Sequence, residues 1–129
     1  MPAYEGNDFE PPAPIARVEV VGPAGQRVDV PMLLDSGADT SVVPRRVADA
    51  VGADVRPSPY SLELFDGTRV PAEEADLTVH LVPLRFGGRY VVQDKEYGVL
   101  GRNVLRHVVL RLDGPAQEWS IVRRDASID

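Results

Sequence analysis

The residues best suited to chemistry lie in one short string. Leu33-Leu34-Asp35-Ser36-Gly37-Ala38-Asp39-Thr40 sets a carboxylate directly after an apolar run, then adds a hydroxyl, a glycine and a second carboxylate. A carboxylate at the end of a buried strand costs free energy unless hydrogen bonds hold it. Ser36 can supply a hydroxyl bond. Gly37 lets a backbone N–H approach the carboxylate and allows φ values closed to other residues. On the residues alone, two readings stay open. Asp35 ends a strand in an Asx turn, or the string is a loop that presents one carboxylate from a core for acid–base work.

Other reactive sets are poorer. His80 and His107 are the only histidines, and neither stands in a His-Glu-x-x-His or comparable spacing. Ser36 has no Gly-x-Ser-x-Gly setting, and Gly37 occupies the place where an aspartyl-phosphate enzyme has a second Asp. The chain has no cysteine, which removes disulfides and thiolate ligands. No metal site and no cofactor are therefore expected. A formal net charge of −6 leaves no basic surplus to neutralise phosphates, which argues against nucleic acid as a partner. No apolar run approaches the ~20 residues of a membrane-spanning helix. Met1 to Pro14 is acidic and proline-rich, without the basic start and apolar stretch of a signal peptide. A cytoplasmic protein with no membrane partner is the expectation.

The elements that must position Asp35 read as mostly β. Residues 1–14 form a flexible arm, because Pro2, Pro11, Pro12 and Pro14 cannot donate backbone hydrogen bonds. Ile15–Val21 alternates apolar and polar, Gly22-Pro23-Ala24-Gly25 is a turn, and Arg27–Leu34 returns as the second strand of a hairpin. Pro44–Val51 is a short helix, with Val47 and Val51 on one face and Gly52 at its C-terminal stop. Tyr60–Phe65 alternates again, and Asp66-Gly67 is a strong hairpin signal. Strands follow at 75–82 and 88–92, then the apolar stop Val99-Leu100-Gly101 and a helical turn at Arg102–Arg106. Val108–Leu112, a turn at Asp113-Gly114-Pro115 and Glu118–Val122 make a final hairpin, with a tail at 124–129. The expected architecture is one all-β, mainly antiparallel, barrel-like domain over residues 15–123.

Two strings together are more specific than either. Leu33-Leu34-Asp35-Ser36-Gly37-Ala38-Asp39-Thr40-Ser41-Val42-Val43 resembles the active-site loop of the retropepsins, the retroviral-type aspartic proteases and their cellular and bacterial relatives. About 65 residues on, Gly98-Val99-Leu100-Gly101-Arg102-Asn103-Val104-Leu105 resembles the family's second signature. The Leu62–Val70 hairpin, with its tip Phe65-Asp66-Gly67-Thr68, falls in the slot of the family's flap. The resemblance covers roughly Ile15 to Val122. It implies an acid-protease fold with one lobe per chain and Asp35 as the catalytic residue. Ser36, Gly37 and Ala38 would complete the active-site loop, with the Ser36 hydroxyl in a network between two such loops. Gly37, Asp39, Phe65, Asp66 and Gly67 would meet substrate. Arg102 and Asn103 would act as a structural buttress, Arg102 by pairing with Asp39. Met32, Val43, Phe65 and Val99 are candidates for the walls of the cleft. The flap departs from the retroviral pattern, having a single glycine at an acidic tip, and the C-terminal hairpin continues past the point where retroviral chains end.

Aspartic-protease chemistry needs two carboxylates, one to take a proton from water and one, protonated, to polarise the scissile carbonyl. This chain has no second Asp-Ser/Thr-Gly, since Asp66-Gly67-Thr68 has the order reversed. The resemblance therefore implies a homodimer in which two copies of Asp35 meet across a two-fold axis, acting as an endopeptidase on peptide or protein substrates. The rival reading is a retropepsin fold kept as a catalytically silent, or only conditionally assembled, dimerisation or peptide-binding module. Trp119 reads as a core or interface residue.

Overall fold

The computed structural model describes residues 2–81 and 83–123. Met1, Val82 and the tail at 124–129 lie outside the described residues. Among the described residues nine strands and two short helices follow one another: β1 (Ile15–Val21), β2 (Arg27–Leu34), β3 (Val42–Pro44), α1 (Arg45–Ala50), β4 (Arg56–Glu63), β5 (Arg69–Leu81), β6 (Leu84–Gln93), β7 (Gly98–Leu100), α2 (Arg102–Leu105), β8 (Val108–Asp113) and β9 (Glu118–Arg123).

Seven strands form one sheet in the order β1-β2-β7-β3-β6-β5-β4, and a further pairing of β1 with β5 closes six of them into a barrel. β4 stays outside the ring as an edge strand on β5. Most neighbours run antiparallel, but β2 pairs with β7 and β3 with β6 in parallel. The alternation read in β1 and β2 is what fills the barrel: Ala16, Val18 and Val20 of β1 and Val30, Met32 and Leu34 of β2 are buried. Val43, Val47, Val51, Val79, Val92 and Leu100 complete an aliphatic interior with Tyr90, whose hydroxyl donates to the Phe86 carbonyl at 2.6 Å. Burial raises the Tyr90 pKa above the ordinary phenol value. α1 lies at the end of β3, its Val47 and Ala48 buried, and Gly52 ends it at φ 68 as its position in the sequence implies.

β8 and β9 form a separate two-stranded sheet. Trp119 and Ile121 of β9 and Leu110 of β8 pack on the core, while Val109 and Val122, paired across the strands, are exposed. The proline-rich segment before β1 has more partners than its reading as a flexible arm implies. Glu5 and Ala13 bridge one another, Tyr4 N–H donates to the Gln117 carbonyl at 2.7 Å, and the Pro2 carbonyl accepts from Trp119 N–H at 2.9 Å. Prolines cannot donate, but their carbonyls accept, as that of Pro2 does, and Tyr4, Glu5 and Ala13 between them supply the N–H groups. The Pro14 carbonyl likewise accepts from Leu34 N–H at 3.0 Å, so the segment leads directly into the β1–β2 ladder.

β3 has no counterpart in the sequence reading, and β4, β5 and β6 are longer than expected, β6 running over Leu84–Gln93 rather than 88–92. β3 is too short to show a period. β4 begins at Arg56 and β5 at Arg69, both earlier than expected, although Pro57, Pro59 and Pro71 punctuate them. Prolines are admissible there because β4 is an edge strand and the stretch of β5 holding Pro71 pairs on one side only.

Leu100 of β7 is fully buried between β2 and β3. Leu100→Ala is expected to lower unfolding free energy by about 2–5 kcal/mol. Urea denaturation followed by Trp119 fluorescence measures this, and a midpoint equal to wild type would remove Leu100 from the core.

Candidate active site

Asp35 leaves the end of β2, and its backbone carries the β2–β7 pairing one residue further, with Asp35 N–H donating to the Leu100 carbonyl at 3.0 Å. The chain then turns sharply: Ala38 N–H donates to the Asp35 carbonyl at 3.2 Å. The carboxylate folds back onto the turn, and Gly37 N–H donates to Asp35 Oδ1 at 2.9 Å. Gly37 is not in the left-handed region, so its value is not the unusual φ expected from the sequence. The reason is proximity. A Cβ at Gly37 would stand 3.1 Å from Asp35 Oδ1, tighter than ordinary contact. Asp35 is half-buried, while Ser36, Gly37 and Asp39 are exposed. The lobe thus presents the carboxylate at its surface on a fixed turn.

A second segment braces this turn from behind. Gly101, between β7 and α2, packs against it so closely that a Cβ would fall 2.2 Å from the Thr40 carbonyl oxygen and 2.9 Å from that of Ala38. Only a glycine passes there. Arg102 N–H donates to the Ala38 carbonyl at 2.8 Å, and Arg102 Nη1 donates to the Ser36 carbonyl at 2.8 Å. The expected pairing of Arg102 with Asp39 is not made: among the described residues no ion pair joins them, and the guanidinium caps the loop backbone instead. Arg102 thus meets the loop through a different contact from the one the resemblance implied.

Ser41 is the residue that sequence reasoning missed. Its side chain is fully buried. Its hydroxyl accepts from Gly101 N–H at 2.9 Å and donates to Asn103 Oδ1 at 2.6 Å, while its carbonyl accepts from Val91 N–H at 3.1 Å. One hydroxyl therefore joins the Asp35 loop to the start of α2. The signal in the sequence was a small hydroxyl residue directly ahead of two valines. The Ser36 side chain makes no hydrogen bond of this kind among the described contacts; its carbonyl is the group in use.

The candidate wall residues divide. Met32 and Val43 are fully buried in the barrel and cannot line a cleft. The pleat puts their neighbours, the half-buried Leu33 and Val42, on the other face, where both pair with the half-buried Val99. The Leu62–Val70 hairpin is formed, with Gly67 at φ 86, Gly67 N–H donating to the Leu64 carbonyl and Leu64 N–H to that of Thr68. This is a turn of three residues with a glycine bulge rather than a two-residue one. Phe65 at the tip is fully exposed, and Leu64 and Tyr60 are largely so. Hydrogen bonds from Thr68, through its side chain and its backbone N–H, hold the Asp66 carboxyl below the usual carboxylate range, so the tip stays acidic into mildly acid solution. His80 sits in β5 with Nδ1 3.5 Å from Glu19, and His107 is exposed and stacked on Phe86; neither approaches the Asp35 loop in the described contacts. Two surface cavities, of about 700 and 270 Å³, lie elsewhere, and neither is lined by residues 35–40.

The sequence matches the model of a family described as aspartyl protease over residues 16–113, more than half of the chain and including both the Asp35 loop and the Gly101–Asn103 brace. This chain belongs to the aspartyl protease family. Among solved structures it is similar to the EIAV protease in complex with the inhibitor HBY-793, at 22% identity and a TM-score of 0.59, covering 78% of this chain and 89% of that one. At that identity the likeness speaks for the fold: one lobe of the retropepsin type. No curated protein matches it in sequence. The match stops at Asp113, so the β8–β9 turn, β9 and the N-terminal segment paired with it fall outside the region that defines the family. No helix among the described residues is long and apolar enough to cross a membrane.

Ser41→Ala should leave the Gly101 N–H buried without a partner, a cost of about 1–3 kcal/mol. Thermal or urea unfolding measures it. A variant as stable as wild type would show that the hydroxyl does not hold the two segments together.

Proposed function

We propose that the protein is an aspartic endopeptidase that works as a homodimer, with Asp35 of each copy forming the catalytic dyad. The observation that carries this is the Asp35 turn itself: a carboxylate held by Gly37 N–H at the surface of a lobe, braced by Gly101, Ser41 and Arg102. A rigid mount of this kind is what a reacting group needs, and it costs backbone freedom that a simple strand end would not require. Each lobe supplies one such carboxylate. The partner copy supplies the other, and the exposed position of Ser36 leaves its hydroxyl free to bond across the two-fold axis.

In this reading the ionised carboxylate of the pair takes a proton from a water molecule. The water oxygen attacks the peptide carbonyl carbon while the protonated carboxyl gives its proton to the carbonyl oxygen. Collapse of the tetrahedral intermediate breaks the C–N bond as the leaving nitrogen takes up a proton. The two carboxyls can share one proton because like charges that close do not both ionise. Asp39 and the Phe65–Gly67 tip would contact the peptide backbone and side chains from below and above. The alternative, a silent or conditionally assembled peptide-binding module, keeps the same geometry without turnover.

Mixing tests the dyad directly. Wild type incubated with a peptide mixture between pH 4 and 7 should cleave, and Asp35→Asn should lose activity by about a hundredfold or more. Excess Asp35→Asn chain added to wild type should poison it, because mixed dimers carry one carboxylate. Identical peptide maps for wild type and mutant would sink catalysis by Asp35. Activity indifferent to excess mutant, in a preparation where sedimentation shows the chains exchanging, would sink the shared site.

A further inference from the structure

The Leu62–Val70 hairpin leaves the barrel at a definable point. β5 pairs with β6 from Glu73 (opposite Val92) onward, but from Pro71 to the tip it pairs with β4 alone. The β4 side is irregular at the same level. Pro57 pairs with Glu73, the register then shifts, and regular pairing resumes only at Ser61 with Pro71. Tyr60 N–H turns aside to the Ser58 hydroxyl at 3.1 Å. A bulge on one strand opposite a loss of barrel pairing on the other is the geometry of a hinge. Packing does not fix its angle. Beyond Ala72 the hairpin is exposed apart from the half-buried Leu62 and Val70, and a cavity of about 270 Å³ opens at its base between Leu62, Pro71, Glu73 and Asp94.

One side chain spans this point. Arg45 directly follows Pro44, the end of β3; Asp94 directly follows Gln93, the end of β6; Glu73 is the first barrel-paired residue of β5. These three strands are neighbours in the sheet. Arg45 Nη2 bonds the Glu73 carboxylate and Arg45 Nε donates to Asp94 Oδ1 at 3.0 Å, so a single guanidinium ties the ends of β3 and β6 to the point where β5 leaves the barrel. Those bonds, that to Glu73 first, raise the Arg45 pKa further above its ordinary value. Arg46 Nη2 adds a bond to the Glu96 carbonyl at 2.6 Å, which holds the segment between β6 and β7 against α1. That segment enters β7, the strand whose Leu100 carbonyl accepts from Asp35 N–H.

We propose that Arg45 is a positioning residue, the latch of the hairpin hinge, which sets the height of the hairpin over the Asp35 loop by tying its root to the 94–97 segment. The significance of the hairpin as a flap rests on the protease reading; the latch itself does not. Lysine would not replace Arg45, because two acceptors at different angles require the planar fork. An ordinary surface ion pair contributes about 0–1 kcal/mol and would leave hairpin motion unchanged once lost. A latch is distinguished by where its loss is felt and by coupling between its members.

The experiment is amide hydrogen exchange by mass spectrometry, run in the Asp35→Asn chain so that no turnover intervenes. Arg45→Ala should speed exchange across residues 60–72 about fivefold, leaving β1, β2 and the Ala75–Leu81 part of β5 at wild-type rates. Glu73→Ala should do the same, and the double variant should be no faster than either single one. Unchanged hairpin exchange in Arg45→Ala, additive effects in the double variant, or an increase spread evenly over the barrel would each overturn the proposal. Failure of the protease reading looks different: no Asp35-dependent cleavage, with this exchange pattern intact.

Discussion

The placement of Asp35 depends on one buried hydroxyl. Ser41 accepts from Gly101 N–H and donates to Asn103 Oδ1, at the point where the segment leaving β2 passes the segment leaving β7. At that crossing two backbones come closer than side chains allow, which is why residue 101 is a glycine. Close approach buries polar groups, and buried polar groups need partners. Ser41 supplies both a donor and an acceptor in the volume of one small side chain. Arg102, one residue past the crossing, then reaches the Ser36 carbonyl. The carboxylate turn is thus held at its front by Gly37 N–H and at its back by α2, and neither hold involves a long flexible side chain except Arg102.

The barrel explains why such a crossing is affordable. Six strands close on themselves, and the interior is filled with Val, Leu, Ala, Met32 and one Tyr whose hydroxyl is bonded. The parallel pairs β2–β7 and β3–β6 carry the two site segments side by side in the same ring. Elements outside the ring have looser duties. β4 extends the sheet as an edge and supports a hairpin that is nearly all exposed, and β8–β9 forms a sheet of its own.

The candidate site is more legible in the sequence than its supports. Asp35 with Ser36 and Gly37 is a local pattern, and β1, β2, α1 and the β8–β9 hairpin follow from local periods and turn residues. Ser41 and Asn103 lie 62 residues apart, and nothing local marks either as the other's partner. The faces of β2 and β3 were each misjudged by one residue: Met32 of β2 and Val43 of β3 are interior, their neighbours Leu33 and Val42 are not. With a period of two, one step exchanges core for surface. The Arg102–Asp39 pairing was carried over from a resemblance, and a nearer acceptor, the Ser36 carbonyl, takes the guanidinium here. Pro57, Pro59 and Pro71 obscured β4 and the start of β5, because a breaker in a central strand is harmless at an edge. Arg45 gave no signal, since its partners Glu73 and Asp94 belong to β5 and the end of β6, which meet it only in the fold.

The β8–β9 sheet has a further consequence. A two-stranded sheet has two edges at which another strand can add its backbone. Part of one is already taken: Pro2, Ala3 and Tyr4 bond to Gln117, Glu118 and Trp119, so the outer side of β9 is occupied at that end by the chain's own opening residues. Growth of this sheet by a strand from outside is thereby directed away from the start of β9. The short proline-bordered segment covers that end of the edge with one acceptor, the Pro2 carbonyl, and one donor, the Tyr4 N–H.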